Sequence, residues 1–364
     1  MTRVKRHIDA NVVDEARRRI HHIYDLVDNV VVAFSGGKDS LALLHLTWEV
    51  AQERGLTAVN VAFRDEEVIP DTVLSFVDTY RQLPWVNMTW YAVPLISSKY
   101  VLGKTSRYIQ WDPNREHVRP KPAWATTLDD LGYPPDTVFS QLTMDSVLAA
   151  PYKGKVAIMT GVRASESLMR WQSSVVKLNE NYICASSTPK ASLCKPLFDW
   201  QENDVLRFFY DNAIRYCPIY DAQAWAGNAL RVATPLIPES AKALHYLRAT
   251  EPVFYDQVME IFPEMALQER YHAEIDRAGI LARYAESWDG IEQWITDHFD
   301  EAAELANAMK ALARVKVAAR RAPDSFPLPY VLKQFTSGAY KRRILPQAFA
   351  DQTKSDQAQR GTRG

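Results

Sequence analysis

Residues 30–40 read Val-Val-Val-Ala-Phe-Ser-Gly-Gly-Lys-Asp-Ser, and this stretch decides the fold. An apolar run typical of a buried strand ends at two glycines, and apolar residues at helical spacing follow from Leu41. The pattern predicts a strand, a tight turn and the start of a helix within one short segment. Because glycine has no Cβ, the backbone at Gly36 and Gly37 can take unusual φ values and approach a ligand closely.

The turn has the features of an anion-binding site. The first free N–H groups of the predicted helix point toward it, and the helix dipole adds positive potential there. Ser35 and Ser40 supply hydroxyl donors, and Lys38 supplies a mobile positive charge. A Walker A loop is excluded, because Val32 stands where that motif has its first glycine and Asp39 stands where it has Ser or Thr. We therefore predict a phosphate-binding turn of another type.

Composition bounds the class of protein. The chain has 364 residues, 47% of them hydrophobic, which is enough for a large core and for more than one domain. No window approaches the roughly 18 apolar residues of a membrane span, and the charged N-terminus lacks an apolar signal core. Three cysteines are too few for a disulfide scaffold in a chain of this length. We expect a cytoplasmic protein without a membrane contact.

The charge is distributed unevenly along the chain. Residues 311–364 carry 11 Lys or Arg and 3 Asp or Glu, a net charge of +8, although the whole chain has a net charge of −1. An acidic body with a basic tail is suited to contact nucleic acid or an acidic protein. A solvated tail without a partner is the alternative.

The first hundred residues alternate helical and extended patterns. The predicted elements are a helix over 11–28, a strand over 30–34, a helix to about residue 54, a strand over 58–63, a helix over 70–80 and a strand over 87–93. A further buried strand is predicted at 155–160. Such alternation is typical of a parallel sheet with helices on both faces, which binds ligands at the carboxyl ends of its strands. We predict an α/β fold with a doubly wound, mostly parallel sheet.

We expect three regions along the chain: a nucleotide-binding domain over 1–237, a helical domain over 238–322 and a basic, partly disordered tail over 323–364. Within the first, residues 97–136 are rich in proline and predict an elaborate loop, which is either functional or a mere insertion. Beyond Pro238, the pattern predicts only helices, over 240–250, 252–261, 265–278, 280–284 and 291–317.

A second polar cluster follows the strand predicted at 155–160. Gly161 permits a tight exit from that strand, and Arg163 offers a planar fork of donors suited to phosphate, sulfate or carboxylate. Glu166 could orient this fork, and Arg170 lies close behind in the sequence. A surface salt bridge is the alternative.

The two clusters together resemble a known family. Ser-Gly-Gly-Lys-Asp-Ser at 35–40 resembles the PP-loop of the ATP pyrophosphatase superfamily, whose domain is an adenine nucleotide α-hydrolase-like sheet. The order of this loop, the strand end at Asp65, the 161–170 cluster, the Lys195–Trp200 motif and the block from 202 to 221 resembles the phosphoadenosine-phosphosulfate (PAPS) reductase family. That family includes the small subunit of ATP sulfurylase, and the resemblance covers roughly residues 30–235.

The resemblance implies a site for ATP, or a related adenosine nucleotide, together with Mg²⁺. It implies catalytic roles for Lys38, Asp39 and Arg163. Asp39 is a candidate to hold Mg²⁺ directly or through water, and the alternative is a helix-start residue that the helix dipole stabilises. Asp65 is a candidate for the ribose hydroxyls, the metal or a second substrate, or else a simple strand-end carboxylate. The implied nucleotide-binding residues are Ala33, Phe34, Ser35, Gly36, Gly37, Lys38, Asp39, Ser40, Asp65, Gly161, Arg163, Glu166 and Arg170.

The last cysteine of the chain bears on the reaction. Family members that reduce PAPS use a nucleophilic cysteine near the C-terminus, whereas here no cysteine follows Cys217. We therefore expect an adenylyl transferase or ATP pyrophosphatase that cleaves ATP between its α- and β-phosphates, in sulfur metabolism. The alternatives are a PAPS reductase-like enzyme that uses an external thiol, and a non-catalytic regulatory or DNA-associated module that binds nucleotide.

Two further expectations concern partners and cofactors. The proline-rich region around Trp111 and Arg119 resembles a subgroup found on phages and mobile elements, with some members encoded beside a ParB-like protein. A nucleic acid or a ParB-like protein is therefore a candidate partner of the basic tail, and the chain could be an oligomer. Cys184, Cys194 and Cys217 could ligate an iron–sulfur cluster, but they form no Cys-x-x-Cys pair, and buried free thiols are the alternative.

Overall fold

The computed structural model describes residues 9–102, 104–167, 170–171, 180–227, 230–237, 240–241, 244–271, 282–299, 301–341 and 343–347. The chain divides into two compact units. The sheet unit consists of Ala10–Arg163 and Ser174–His272. The helical unit consists of Met1–Asp9, Ala164–Ser173 and Ala273–Gly364.

The sheet unit is built on a six-stranded sheet, which confirms the predicted α/β class. Its strand order is β3-β2-β1-β6-β8-β7, and every neighbouring pair is parallel except β7 with β8. The strands of this sheet are β1 (Asn29–Phe34), β2 (Val59–Arg64), β3 (Val86–Tyr91), β6 (Val156–Thr160), β7 (Ile183–Ala185) and β8 (Ala191–Cys194). The short hairpin of β7 and β8 was not predicted from the sequence.

Helices form a large part of the remaining sheet unit. Asn11 caps the first of them by accepting a hydrogen bond from the amide of Val13 at 2.7 Å, as its position in the sequence predicts. The helices of this unit are α1 (Val12–Leu26), α2 (Lys38–Glu53), α3 (Asp71–Arg81), α4 (Leu128–Leu131), α5 (Gln141–Ala149), α6 (Glu202–Asp211), α7 (Ile219–Trp225), α8 (Leu244–Thr250), α9 (Pro252–Ile261) and α10 (Met265–Tyr271).

Both faces of the sheet are covered because its strands are apolar on both sides. On one face Val32, Phe34 and Phe63 are buried with residues of α1, α2, α3 and α6. On the other face Val31 and Ile158 are buried with residues of α4 and α5. Burial on both sides explains why the strands read as continuous apolar runs.

The topology places one strand at the point where the strand order reverses. After β1 the chain moves outward through β2 and β3, and it later returns to the other side of β1 as β6. In the register, Ala33 of β1 is paired with Ala62 of β2 and with Thr160 of β6. Crevices at such reversals, beyond the carboxyl ends of the strands, are the usual ligand sites of this fold class. The glycine turn lies at this position.

The predicted loop over 97–136 is wrong in its first part, which forms an antiparallel hairpin of β4 (Leu95–Val101) and β5 (Lys104–Gln110). Tyr100 and Tyr108 of this hairpin are buried in a small core together with Phe262 and other residues of α8 to α10. The two tyrosines stabilise the hairpin by burying their rings in this core. The polar residues around them make this apolar contact hard to recognise in the sequence.

The helical unit contains α11 (Trp288–His298), α12 (Ala302–Arg321) and α13 (Leu328–Thr336). The single helix predicted over 291–317 is wrong, since α11 ends at His298 and α12 begins at Ala302. Their core includes Ile295, Leu312 and Phe335. The predicted helical stretch over 272–281 and the C-terminal residues from 348, predicted as disordered, lie outside the described residues.

Within the described ranges, no helix combines the length and the apolar character that crossing a membrane requires.

Candidate functional site

The glycine turn between β1 and α2 has a backbone that only glycine accommodates easily. Gly36 has φ +73°, in the left-handed region. A Cβ at this position would lie 2.8 Å from Cγ2 of Val77 and 3.1 Å from Cγ1 of Val73, both on α3. The turn therefore packs closely against α3. The positive φ and this close contact together explain why residue 36 is a glycine.

The start of α2 leaves amide donors at the turn. The first helical hydrogen bond runs from the amide of Leu41 to the carbonyl of Gly37 at 2.9 Å. Among the described residues, the amides of Gly36 and Ser40 donate to no acceptor. The serine hydroxyls are used inside the turn, because Ser40 Oγ accepts from the amide of Ser35 at 3.1 Å and donates to the carbonyl of Gly37 at 2.9 Å. The hydroxyls thus shape the turn, and two of its amides are left without an acceptor among the described residues.

Two buried cations flank Asp39. Arg163 is 5% exposed, and its Nε lies 2.7 Å from Oδ1 of Asp39. Lys38 is also 5% exposed, and its Nζ lies 3.4 Å from Oδ2 of the same carboxylate. The structure therefore brings together all three residues that the sequence assigned to catalysis. Positive charge of this kind in a buried setting favours an anionic ligand.

Gly161 makes this arrangement possible. A Cβ on Gly161 would lie 2.6 Å from the carbonyl carbon and oxygen of Asp39, so the exit of β6 runs directly over the first turn of α2. Arg163 then reaches Asp39 from only two residues further along. The sequence predicted a tight strand exit at Gly161, and the structure shows that this exit packs against the first turn of α2.

Three groups that the sequence did not single out also contact Lys38. The hydroxyl oxygen of Tyr220 accepts a hydrogen bond from the Lys38 amide at 2.7 Å. Lys38 Nζ donates to the carbonyl of Leu230 at 3.0 Å and lies 3.1 Å from Oε1 of Glu202. Burial raises the pKa of Tyr220 well above its usual range, so the phenol keeps its proton. The resemblance covered the 202–221 block, but no local pattern shows that its side chains reach back to the turn.

Asp65 lies at the end of β2 and is 3% exposed. Its Oδ2 accepts from Nε1 of Trp90 at 2.8 Å, and its Oδ1 accepts from the amide of Glu67 at 2.9 Å and from Nη2 of Arg119. Nε1 of Trp111 donates to the Asp65 carbonyl at 2.7 Å. These contacts favour a positioning role, in which Asp65 fixes the proline-rich region to the strand end, over direct contact with a ligand.

Glu67 likewise fixes part of the proline-rich region to the end of β2. It is fully buried and has φ +62°. Its carboxylate accepts two hydrogen bonds from Arg115, both at 2.6 Å, one from the amide of Trp111 at 2.5 Å and one from the amide of Val118 at 3.1 Å. The two carboxylates at the end of β2 therefore hold residues 111–119 against the sheet edge.

The other predicted site residues occupy varied positions. The side chain of Phe34 packs in the core, with its ring centroid 5.5 Å from that of Tyr80. Ala33 lies on the opposite face of β1 and is partly exposed. Glu166 and Arg170 form an ion pair with each other in the helical unit. Their predicted role at the turn stays a prediction.

The Lys195–Trp200 motif holds α1 in place. Asp199 accepts two hydrogen bonds from Arg19, each at 2.7 Å, and Nε1 of Trp200 donates to the carbonyl of Val12 at 3.0 Å. Arg19 also donates to the carbonyl of Pro196 at 2.9 Å. These contacts give the Lys195–Trp200 motif a structural role in this chain.

A resident metal site does not follow from these side chains. The Asp39 carboxylate is already paired with Arg163 and Lys38, and the described residues contain no cluster of three His, Cys, Asp or Glu that could hold an ion. The Mg²⁺ of the sequence analysis stays a prediction, in which the phosphates would supply the other oxygens.

The three cysteines are placed apart from one another. The register pairs Cys184 with Leu193 and Ile183 with Cys194, which puts Cys184 and Cys194 on opposite faces of the β7–β8 hairpin. Cys217 is buried, and its Sγ lies 4.0 Å from the carbonyl of Thr72 at the start of α3. This geometry gives no support to a shared iron–sulfur cluster.

Comparisons with known proteins support the family resemblance. Residues 143–263 match the phosphoadenosine phosphosulfate reductase domain, a match that includes Gly161 and Arg163 and begins after the glycine turn. The chain is 28% identical over 257 residues to the uncharacterized protein YbdN of Escherichia coli K12. That alignment covers 66% of this chain and 63% of YbdN, which is less than two thirds of that protein.

Solved structures are similar at a lower level. FMN adenylyltransferase of Candida glabrata, solved with FAD and inorganic pyrophosphate, is 14% identical with a TM-score of 0.38, over 59% of this chain and 63% of that chain. PAPS reductase of Candida auris, a phosphate complex, is 12% identical with a TM-score of 0.33, over 64% and 100%. The U34-tRNA thiolase NcsA of Methanococcus maripaludis is 16% identical with a TM-score of 0.32, over 70% and 80%. The phage-like subgroup stays a prediction.

Proposed function

We propose that the sheet unit, which carries the match to the phosphoadenosine phosphosulfate reductase domain, binds the phosphate chain of an adenosine nucleotide at residues 35–40 and transfers AMP from ATP to an acceptor. One observation carries the proposal: the glycine turn, in which the amides of Gly36 and Ser40 donate to no described acceptor, lies at the point where the strand order reverses and where the buried cations Lys38 and Arg163 flank Asp39. Backbone amides at a helix start, combined with fixed positive charge, are suited to a polyphosphate.

The proposed reaction breaks the bond between the α-phosphorus and the oxygen that bridges it to the β-phosphate. An anionic acceptor forms the new bond to the α-phosphorus, and pyrophosphate departs with the electron pair of the broken bond. Negative charge grows on this leaving group during the reaction. Lys38 and Arg163 stabilise that charge, and the turn amides hold the phosphates in line.

Asp39 contributes by holding the two cations in position. Its carboxylate lies between Arg163 and Lys38, so it sets the spacing of their positive groups before a nucleotide arrives. Groups positioned in advance need little reorganisation when charge develops, which is the main source of electrostatic catalysis. Asp39→Asn therefore weakens turnover more than it weakens ground-state binding of ATP.

Burial disfavours thiol chemistry at two of the three cysteines, Cys194 and Cys217. Cys217 is fully buried, and burial raises the pKa of its thiol to about 11, so it carries almost no thiolate near neutral pH. Cys194 is 2% exposed, whereas Cys184 is partly exposed. A PAPS-reducing activity would therefore depend on Cys184 or on an external thiol.

The test is to incubate the purified protein with ATP labelled in its α-phosphate and Mg²⁺, with and without fractionated small-molecule extract as a source of acceptor, and to measure pyrophosphate and labelled, adenylylated acceptor. We expect acceptor-dependent formation of both, lowered about 100-fold by Lys38→Met. Lys153→Met, which removes an exposed lysine, is the matched control and leaves the rate unchanged.

Two other results would replace the proposal. Release of sulfite from PAPS with added thioredoxin, without cleavage of ATP, would favour the external-thiol reductase. Binding of ATP without turnover under any acceptor condition, together with salt-sensitive DNA binding that is lost when residues 323–364 are removed, would favour a regulatory module.

A further inference from the structure

We propose that Glu202, Tyr220 and Leu230 form a latch that holds the phosphate site closed and that a phosphate group must displace in order to bind. The inference rests on the proposed function, because it takes residues 35–40 as the phosphate site. It concerns how that site is regulated.

The backbone end of the latch is the phenol of Tyr220. Its oxygen accepts from the Lys38 amide at 2.7 Å, which is the place where a phosphate oxygen would accept from the start of α2. The same hydroxyl lies 3.4 Å from the position of a Cβ on Gly37, so it sits directly over the turn. A single amide hydrogen cannot form two short, linear hydrogen bonds, so the phenol and a phosphate oxygen compete for it.

The side-chain end of the latch holds the Lys38 ammonium. The carbonyl of Leu230 accepts from Nζ at 3.0 Å, and the Glu202 carboxylate lies 3.1 Å away. Glu202 is the first residue of α6, and Leu230 follows α7 in the chain. Both donors of Lys38 that the proposed site needs, the amide and the ammonium, are therefore occupied by Tyr220, Leu230 and Glu202.

Two parts of the latch are joined to each other. Gln223 on α7 donates from Nε2 to the carbonyl of Arg231 at 2.7 Å and accepts from the Arg231 amide at 2.8 Å. This pair of bonds ties the helix that carries Tyr220 to the segment that carries Leu230. The phenol and the carbonyl are therefore expected to leave Lys38 together.

The far end of α7 is weakly held. Trp225, its last residue, is 92% exposed, whereas Tyr220 is 4% exposed. A seven-residue helix with one buried anchor and an exposed end has few apolar contacts to lose on opening. Local opening of α7 would thus clear the turn with the loss of one buried side chain from the core, that of Tyr220.

The latch predicts a specific thermodynamic effect. When only a fraction of the protein is open, the apparent dissociation constant equals the intrinsic constant divided by that fraction. Removing the phenol oxygen raises the open fraction without removing any group that binds phosphate. Tyr220→Phe should therefore strengthen anion binding, which is the opposite of what the loss of a ligand contact would do.

The experiment compares binding of inorganic pyrophosphate and of ATP to the full-length protein by calorimetry. We expect Tyr220→Phe to lower both dissociation constants about 2- to 10-fold, the range that one net hydrogen bond supplies. Tyr210→Phe is the matched control, because Tyr210 is 82% exposed in the last turn of α6 and the same hydroxyl is removed there. Its binding should equal that of the wild type.

A second measurement follows the latch directly. Hydrogen–deuterium exchange of the peptide over 219–227 should speed up when pyrophosphate binds the wild type, and it should already be fast in the variant. Gln223→Ala removes the two hydrogen bonds to Arg231 and should strengthen pyrophosphate binding, as Tyr220→Phe does. Because this variant keeps Tyr220, the same result in both variants would not come from a folding defect at position 220.

Unchanged or weaker binding in both variants would overturn the latch, and so would a complete lack of pyrophosphate binding in wild type and variants. The proposed reaction fails separately. If pyrophosphate binds with the expected pattern of variants but ATP yields no pyrophosphate and no adenylylated product with any acceptor, the latch stands and the adenylyl transfer does not.

Discussion

The carbonyl carbon of Asp39 lies 2.6 Å from the point where a Cβ on Gly161 would stand, a distance that two such atoms do not reach in proteins. The exit of β6 therefore rests on the first turn of α2 without any side chain between them. This contact joins the two sequence clusters physically. It places Nε of Arg163 at 2.7 Å from Oδ1 of Asp39 and so fixes the position of this positive charge in the candidate site.

Gly161→Ala should separate the two segments. The added methyl group meets backbone atoms that cannot move aside, so we expect a loss of stability of about 1–3 kcal/mol and a large loss of pyrophosphate binding. Urea unfolding and calorimetry measure the two effects. Gly290→Ala is the control, because a Cβ there would lie 2.5 Å from the carbonyl oxygen of Tyr284 in the helical unit. That variant should lose stability and keep its binding, and equal binding losses would contradict the assignment.

Gly36→Ala and Gly55→Ala separate backbone strain from steric contact. Both glycines have positive φ, +73° and +75°. A Cβ on Gly36 would lie 2.8 Å from Val77, whereas one on Gly55 would meet nothing within 4 Å. We expect Gly55→Ala to cost about 1–2 kcal/mol of unfolding free energy and to leave pyrophosphate binding intact. Gly36→Ala should cost more and abolish binding. Similar effects of the two changes would show that the contact with α3 is unimportant.

The glycine turn could be predicted from sequence because its determinants are local. The apolar strand, the two glycines and the start of α2 lie within eleven residues, and periodicity and glycine chemistry are enough to read them. The same holds for the alternation of strands and helices that gave the parallel sheet. The hairpin of β4 and β5 was not predicted, because its polar residues hide the alternating pattern expected of strands. The end of α11 at His298 was also not predicted, because apolar residues at helical spacing continue beyond it.

The partners of the site residues could not be predicted in the same way. Tyr220 contacts Lys38 across 182 positions of sequence, and Arg119 contacts Asp65 across 54. A carboxylate at a strand end is equally compatible with a ligand and with an arginine from a distant loop. Only tertiary packing decides between the two, and here it brings the loop to Asp65.

Asp65→Asn tests this positioning role. The change leaves the Arg119 guanidinium buried without its counter-charge, so we expect the unfolding free energy to fall by about 3–5 kcal/mol. Hydrogen–deuterium exchange of the peptide over 111–119 should become faster. The double variant Asp65→Asn with Arg119→Gln should lose less stability than the sum of the two single changes, because the partners are in contact.

The exposed Asp136 provides the control for this charge change, since Asp136→Asn should alter stability by no more than about 0.5 kcal/mol. A direct ligand role for Asp65 predicts a different result. In that case Asp65→Asn would weaken nucleotide binding while stability and exchange over 111–119 stayed at wild-type values.

His45 predicts how stability depends on pH. Its ring is packed against Tyr80 and Trp85 and is hydrogen-bonded to the Tyr80 hydroxyl at 2.9 Å. Burial lowers the pKa of His45 to about 4, from about 6.5 in the unfolded chain. Between these values the unfolded state binds more protons than the folded state, so the unfolding free energy falls as the pH drops below about 6.5. The stability that the neutral, buried His45 side chain contributes is fully present above pH 6.5 and is lost by about pH 4.

Urea unfolding at pH 7.5 and pH 5.0 measures this dependence. We expect His45 to account for up to about 2 kcal/mol of the difference, from the 1.36 kcal/mol that each pH unit supplies. His45→Phe keeps a ring among the aromatic neighbours and removes the titration, so its stability should fall less between the two pH values. His21→Gln removes a half-exposed histidine paired with Glu53 and should retain the wild-type pH dependence attributed to His45. If His45→Phe loses as much stability as the wild type on acidification, the burial of His45 is not the cause, and the carboxylate pairs of the sheet unit become the groups to test.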